Sequence, residues 1–94
     1  MGYSTLELCA SGGAFEAVPR PRQPLDLATV RTRFEQEGIQ VIDARVMLII
    51  RTSPEATISR DGRIVLKTRD RDAAERMFDR ILMIAGVPRG STVP

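Results

Sequence analysis

The chain has 94 residues, of which 43% are hydrophobic and 28% are charged, and its formal net charge is +2. This length and composition are those of one globular domain, and no apolar run reaches the roughly 18 residues that a membrane-spanning helix needs. The sequence has no histidine and one cysteine, Cys9, which excludes histidine-dependent nucleophilic catalysis, the usual histidine-containing zinc sites and an intrachain disulfide.

A glycine-rich phosphate loop is also absent from the sequence, because Gly12-Gly13 is not followed by the Gly-Lys-Ser/Thr that a P-loop requires. We therefore expect a protein that is not an enzyme and uses no cofactor or metal. The first residues lack the basic and apolar stretches of a secretion signal, and a single thiol suits a reducing compartment, so we expect a cytoplasmic location.

Thirteen of the fourteen basic residues are arginine, and Lys67 is the exception. Two interpretations of this bias stay open. A GC-rich genome favours arginine codons, whereas a surface for phosphate or carboxylate groups would use the bidentate hydrogen bonds of the guanidinium group. A net charge of +2 is too small to predict nucleic-acid binding by itself.

Two short extended runs and a proline-rich segment open the chain. Residues 5–9 alternate leucine with polar residues, and residues 14–18 form a second run after Ser11-Gly12-Gly13, which predicts a hairpin or a bent strand. Residues 19–24 contain three prolines, each of which removes a backbone donor and favours extended geometry in the preceding residue. This segment is predicted to be a connecting loop, with a proline-rich ligand motif as the alternative.

The first helix is predicted from Asp26, a suitable N-cap, to Gly38, which ends it. Leu25 and Val30 stand at the positions of a hydrophobic staple. The 3.6-residue period then places Leu27, Val30 and Phe34 on one buried face.

Residues 39–52 are rich in β-branched side chains, and Asp43-Ala44-Arg45 in the middle predicts two strands that meet at a tight bend or bulge. After a turn at residues 53–55, two further strands flank Arg60-Asp61-Gly62. The Asp-Gly pair predicts a β-hairpin closed by a type I′ turn, with positive φ at both Asp61 and Gly62.

The second helix is predicted to begin at Asp70 and to end at Gly86, with Pro88 preventing its continuation. Its apolar stripe consists of Ala74, Met77, Phe78, Ile81, Leu82 and Ala85. Asp70 and Asp72 are interpreted as cap and dipole partners rather than as a metal or acid-base pair. Residues 1–86 are thus predicted to form one domain, and residues 87–94, which resemble a thrombin cleavage sequence, a flexible tail.

These elements predict an α+β fold: a curved antiparallel sheet of five to six strands with two helices packed on one face. Residues 25–85 resemble one repeat of the TATA-box-binding protein, in the helix opening Leu25-Asp26-Leu27, the strand at residues 46–51, the hairpin at residues 56–67 with its Gly62, and the last amphipathic helix. The resemblance implies a sheet that binds with its open face.

The chain departs from that family in two ways. The family has two tandem repeats and this chain has one, so a comparable saddle requires a homodimer. The family also inserts phenylalanines between base steps, where this chain has Ser59, so DNA kinking is not expected. Residues 58–82 are in addition similar to the C-terminal tail of ubiquitin-activating-like adenylyltransferases that act on sulfur carriers.

Strand alternation sorts the side chains between the two faces of the sheet. It directs Val46, Leu48, Ile50, Ala56, Ile58, Ile64 and Leu66 to the helices. The predicted binding residues on the open face are Arg45, Met47, Ile49, Arg51, Ser59, Arg63, Val65 and Lys67. Thr57 is predicted to point to the same face. A mixture of apolar and basic side chains is typical of a contact surface. The alternative is a twisted sheet whose N-terminal segment covers Met47 and Ile49.

We therefore expect a non-enzymatic binding or interaction module that uses this open face. Its partner is expected to be a protein or a nucleic acid, its assembly a homodimer, and no contact with a membrane is expected. The alternative function is that of an accessory or tail domain of a larger enzyme, such as a sulfur-carrier adenylyltransferase.

Overall fold

The computed structural model describes residues 7–8, 13–18 and 25–86. Its elements are β1 (Glu7–Leu8), β2 (Phe15–Ala17), α1 (Leu27–Gln36), β3 (Val41–Asp43), β4 (Met47–Ile50), β5 (Ala56–Ser59), β6 (Ile64–Leu66) and α2 (Arg71–Ala85). The strands form one antiparallel sheet in the order β1-β2-β6-β5-β4-β3. The predicted α+β class is confirmed. The proline-rich segment 19–24 and the tail 87–94 lie outside the described residues.

The core lies between the two helices and one face of the sheet. Strand pairing sets Leu48 beside Ile58 and Ile58 beside Ile64, and the interleaved apolar side chains of α1 and α2 cover this face. The fully buried large side chains are Phe34, Phe78, Leu48, Ile50, Ile58, Ile64, Leu66 and Ile81. The predicted helix-facing side chains are thus confirmed, with the exception of Val46.

Val46 is 58% exposed, so its predicted place in the core is wrong. It lies in the connection between β3 and β4, directly after Arg45, whose φ is 73°. Left-handed backbone at Arg45 interrupts the alternation of a strand, and the regular alternation begins one residue later, at Met47. The predicted tight bend between the two strands is confirmed.

Both helices begin and end close to the predicted residues. Oδ1 of Asp26 accepts from the backbone N–H of Ala28 (3.1 Å), and Oδ1 of Asp70 accepts from that of Asp72 (3.0 Å), so each aspartate is an N-cap. Gly86 has a φ of 75° and closes α2 in the left-handed conformation that its lack of a Cβ permits.

The hairpin of β5 and β6 is confirmed, but its predicted type I′ turn is wrong. The connection has three residues, 60–62: Gly62 N–H donates to the carbonyl of Ser59 (2.9 Å), and Ser59 N–H donates to that of Arg63 (2.8 Å). Gly62 has a φ of 95°, whereas Asp61 does not have positive φ. In a three-residue hairpin connection the glycine alone has to be left-handed, so Asp61 is free to bend in the ordinary right-handed region.

Candidate interaction surface

The open face is the side of the sheet opposite the helices, and its side chains form three rows across the strands. Strand register sets Glu16 beside Val65, Val65 beside Thr57, Thr57 beside Ile49 and Ile49 beside Ile42, which makes the central row. One flanking row contains Arg63, Ser59 and Met47, and the other contains Lys67, Glu55 and Arg51. All of the predicted binding residues except Arg45 therefore share one surface.

Four apolar side chains of this face, Ile42, Met47, Ile49 and Val65, are called the apolar patch below. Ile42 is 40% exposed, and the other three are half-buried. Ile42 was not among the predicted binding residues, because only the register of β3 on β4 sets it directly beside Ile49 on the outer face. Strand alternation in the sequence could have identified Ile42, because its neighbour Val41 faces the core and Ile42 must then face outward.

The basic side chains of the open face have acidic partners that the sequence analysis also missed. Arg63 Nη2 lies 2.6 Å from Glu16 Oε2. Glu55 lies between two basic residues, with Oε2 at 3.3 Å from Arg51 Nη1 and Oε1 at 3.3 Å from Lys67 Nζ. Each of these three predicted basic residues is thus adjacent to a carboxylate, and the face is close to neutral.

Arg45 does not belong to the face. It is the left-handed residue of the β3–β4 connection, and its backbone N–H donates to Oδ1 of Asp43 at 2.8 Å. This bond holds the bend at the end of the sheet, and the Arg45 side chain is exposed there. The prediction that Arg45 lies on the open face is therefore wrong. As for Val46, the left-handed backbone at Arg45 interrupts the alternation of the strand.

A shallow depression of about 280 Å³ lies at the end of the open face where β4, β5 and the 60–62 connection meet. Met47, Ser59 and Arg63 line it together with Val46, Arg60 and Asp61. The depression adjoins the apolar patch through Met47. It is therefore a place where an inserted side chain would contact apolar and basic groups at once.

The alternative in which the N-terminal segment covers the patch fails for the described part of that segment. Glu7–Leu8 and Phe15–Ala17 are strands of the sheet, on the far side of β6 from β4. Residues 13–18 consequently do not lie across Met47 and Ile49.

Within the described residues, no group of three or more Cys, Asp or Glu side chains is arranged to hold a metal ion. None of the described helices is long and apolar enough to cross a membrane. The pKa of the Asp26 carboxyl is lowered, mainly by the hydrogen bond from the Thr29 hydroxyl. This group serves as a helix cap and lies away from the open face.

No family model, curated protein or solved structure matches this chain. The resemblances to a TATA-box-binding-protein repeat and to an adenylyltransferase tail therefore stay predictions.

Proposed function

We propose that this protein is a non-enzymatic interaction module that binds a protein partner through its open face. The observation that carries the proposal is the apolar patch, in which Ile42 and Ile49 are direct neighbours across two strands and Met47 is two residues from Ile49 along β4. Val65 lies in the same row as Ile49, on the other side of Thr57. An open sheet face normally carries polar side chains, and a contiguous apolar surface with a polar border marks a site of association.

The charges of the face favour a protein over a nucleic acid. Nucleic-acid affinity arises mainly from arginine and lysine side chains that neutralise phosphates. Here Glu16 and Glu55 lie beside those side chains, and a phosphate that approached Arg63 or Lys67 would enter the field of a carboxylate. A protein surface supplies both signs of charge and apolar side chains, which is the combination that this face complements.

The depression beside Met47 favours the same class of partner. Protein interfaces are dominated by a few side chains that fill well-packed pockets, surrounded by contacts of little individual effect. The shallow depression of about 280 Å³ at Met47, Ser59 and Arg63 has room for a side chain of the partner. An apolar side chain with a hydrogen-bonding tip would contact Met47 with its body and Ser59 or Arg63 with its tip.

The test is a double substitution, Met47→Asp with Ile49→Asp. Both side chains are on the face opposite the core, so the fold should survive, whereas two unpaired charges in the middle of an apolar contact are costly to desolvate. Proteins captured by the wild type from the cells that express it would be purified, and their affinity for wild type and variant measured by calorimetry. A matched control is Thr32→Asp with Gln36→Asp, which makes the same change in net charge at two exposed positions of α1.

The proposal requires a purified partner whose affinity falls at least tenfold with the double substitution and is unchanged with the control. Thermal melting in parallel reports whether each variant is folded. Equal affinity of wild type and double variant would contradict it. Tight binding of the wild type to random duplex DNA, with affinity that falls steeply as salt rises, would assign the face to nucleic acid instead.

A further inference from the structure

The edge strand β3 is a second surface at which another chain could bind, because it exposes backbone groups whereas the open face exposes side chains. No described strand lies beyond β3 in the sheet. An edge strand exposes unpaired N–H and C=O groups, which proteins usually cover or block, because they can pair with another chain. Here the middle residue of the edge, Ile42, is uncharged and 40% exposed, and among the described residues no strand pairs with its outer side.

The hydrogen bonds to β4 determine which groups of β3 point outward. Arg51 N–H donates to the carbonyl of Gln40 (3.0 Å), and Ala44 N–H donates to that of Met47 (2.9 Å). In an antiparallel pair, the N–H and C=O groups of successive residues point alternately towards and away from the neighbouring strand. The backbone groups of Gln40, Ile42 and Ala44 therefore point towards β4. The N–H and C=O groups of Val41 and Asp43 then point away from the sheet, two residues apart.

These outward groups are self-complementary about a two-fold axis through Ile42. When two antiparallel copies of β3 meet there, Val41 of each copy is opposite Asp43 of the other, and each such pair exchanges two N–H···O bonds. We propose that this protein forms a homodimer in which β3 pairs with β3 of a second copy, with Ile42 opposite Ile42. The two described six-stranded sheets then become one continuous sheet with both open faces on the same side.

Neighbouring registers are disfavoured by contacts already present. A shift that set Val41 opposite Val41 would bring Asp43 opposite Ile39, but the N–H of Ile39 already donates to the carbonyl of Phe34 at 3.1 Å. A shift in the other direction would set Asp43 opposite Asp43, and like charges directly opposite are destabilising. The register centred on Ile42 is the one of the three that uses every outward group.

The border of the sheet at β3 is balanced in charge, so two copies can approach. Arg31 on α1 binds Asp43 (3.4 Å) and Glu35 (3.2 Å), and Arg45 follows Asp43 in the bend. Two arginines and two carboxylates thus line each border. Because the charges of each border are balanced, two copies can meet about a two-fold axis without net electrostatic repulsion.

The edge of the sheet forms the homodimer, and the open face binds the partner. The homodimer is thus the assembly that carries out the proposed function. Ile42 belongs both to the edge and to the apolar patch, so pairing makes the patches of the two copies continuous across the axis. The binding surface of a single copy is in this way doubled, and a partner would contact both.

Cysteine cross-linking tests the dimer and its register together, on a background in which Cys9→Ser removes the native thiol. Ile42→Cys should form a disulfide-linked dimer under mild oxidation, because residues opposite each other in a non-hydrogen-bonded pair are within disulfide reach. Gln40→Cys and Ala44→Cys should each stay unlinked alone, being about 13 Å from their own copies along the strand. A mixture of these two variants should link, because each lies opposite the other.

Light scattering of the unmodified protein should give the mass of a dimer. Monomeric mass at high protein concentration would overturn the proposal, as would linking of Gln40→Cys to itself as fast as Ile42→Cys.

A control cysteine at Thr57, in the middle of the open face, should stay unlinked, and its rapid linking would show that copies meet face to face instead. Met47→Asp with Ile49→Asp should leave the Ile42→Cys link intact while partner binding is lost, which separates failure of the dimer from failure of the proposed function.

Discussion

Arg63, directly before β6, and Glu16 on β2 are 47 residues apart in the chain, and Nη2 of the arginine lies 2.6 Å from Oε2 of the glutamate on the open face. The two side chains are 49% and 28% exposed, so the pair contributes about 0.2–1 kcal/mol to stability at most. The pair matters more for recognition, because Glu16 and Glu55 together offset most of the positive charge of the open face.

Removing the two carboxylates of the open face should convert it into a weak nucleic-acid surface. Glu16→Gln with Glu55→Gln leaves Arg51, Arg63 and Lys67 without their acidic partners. We expect the variant to bind random duplex DNA more tightly than the wild type, with affinity that falls as salt rises. Fluorescence anisotropy at two salt concentrations measures this. The control Glu35→Gln with Glu37→Gln makes the same charge change at α1, and an equal gain there would contradict the role of the face.

The turn at Gly62 provides a second prediction. A β-branched residue is strained at a φ of 95°, so Gly62→Val should lower the free energy of unfolding by about 1–3 kcal/mol in chemical denaturation. Asp61→Gly should also destabilise, by about 0.4–1 kcal/mol, because Asp61 does not need positive φ and its Oδ1 accepts from Arg63 N–H at 3.1 Å. A stabilising effect of Asp61→Gly would indicate a type I′ turn after all.

Gly38 and Gly86 form a matched pair for separating backbone strain from steric contact. Their φ values are 77° and 75°, yet a Cβ on Gly38 would meet nothing within 4 Å, while one on Gly86 would lie 2.7 Å from Nη1 of Arg33. Each glycine-to-alanine substitution should cost about 1–2 kcal/mol of stability through the left-handed backbone. Gly86→Ala should cost slightly more, because the end of the Arg33 side chain has to move away from the new methyl group, and this excess should vanish in an Arg33→Ala background. An excess that persists there would have another cause.

The N-cap of α1 predicts a dependence of stability on pH. The pKa of Asp26 is lowered, first by the hydroxyl of Thr29, which donates to Oδ2 at 2.9 Å, and then by backbone N–H groups of the first turn. Since the carboxyl is more acidic in the folded state, its stabilisation is complete above the unfolded pKa of about 3.9 and is lost as pH falls through the folded pKa.

Asp26→Asn should therefore flatten the fall of melting temperature below about pH 4 without abolishing the cap. Carboxyl titration by NMR measures the pKa directly. In Thr29→Val the pKa of Asp26 should move up towards its ordinary value. If it does not move, the hydroxyl is not its main cause.

The secondary structure was largely predictable because it follows from interactions within a few residues. Asp26 and Asp70 cap the helices through N–H groups two and three positions away, and Gly86 ends α2 through its own φ. The hairpin at Gly62 was predictable for the same reason. The number of residues in its turn was not predictable. One additional residue in the turn changes which position must be left-handed.

By itself, then, the sequence determined the α+β class, the helix caps, the strands and most of the core, because propensity, periodicity and capping act along the chain. Only the tertiary structure decided the charge and the extent of the open face. Strand order brings Glu16 to Arg63 and sets Ile42 beside Ile49 at an edge, and strand order is a property of distant segments that no local pattern encodes. The sequence predicted a bend at residues 43–45, but the pairing of β3 with β4 decided where the alternation resumes, at Met47, and so left Val46 exposed.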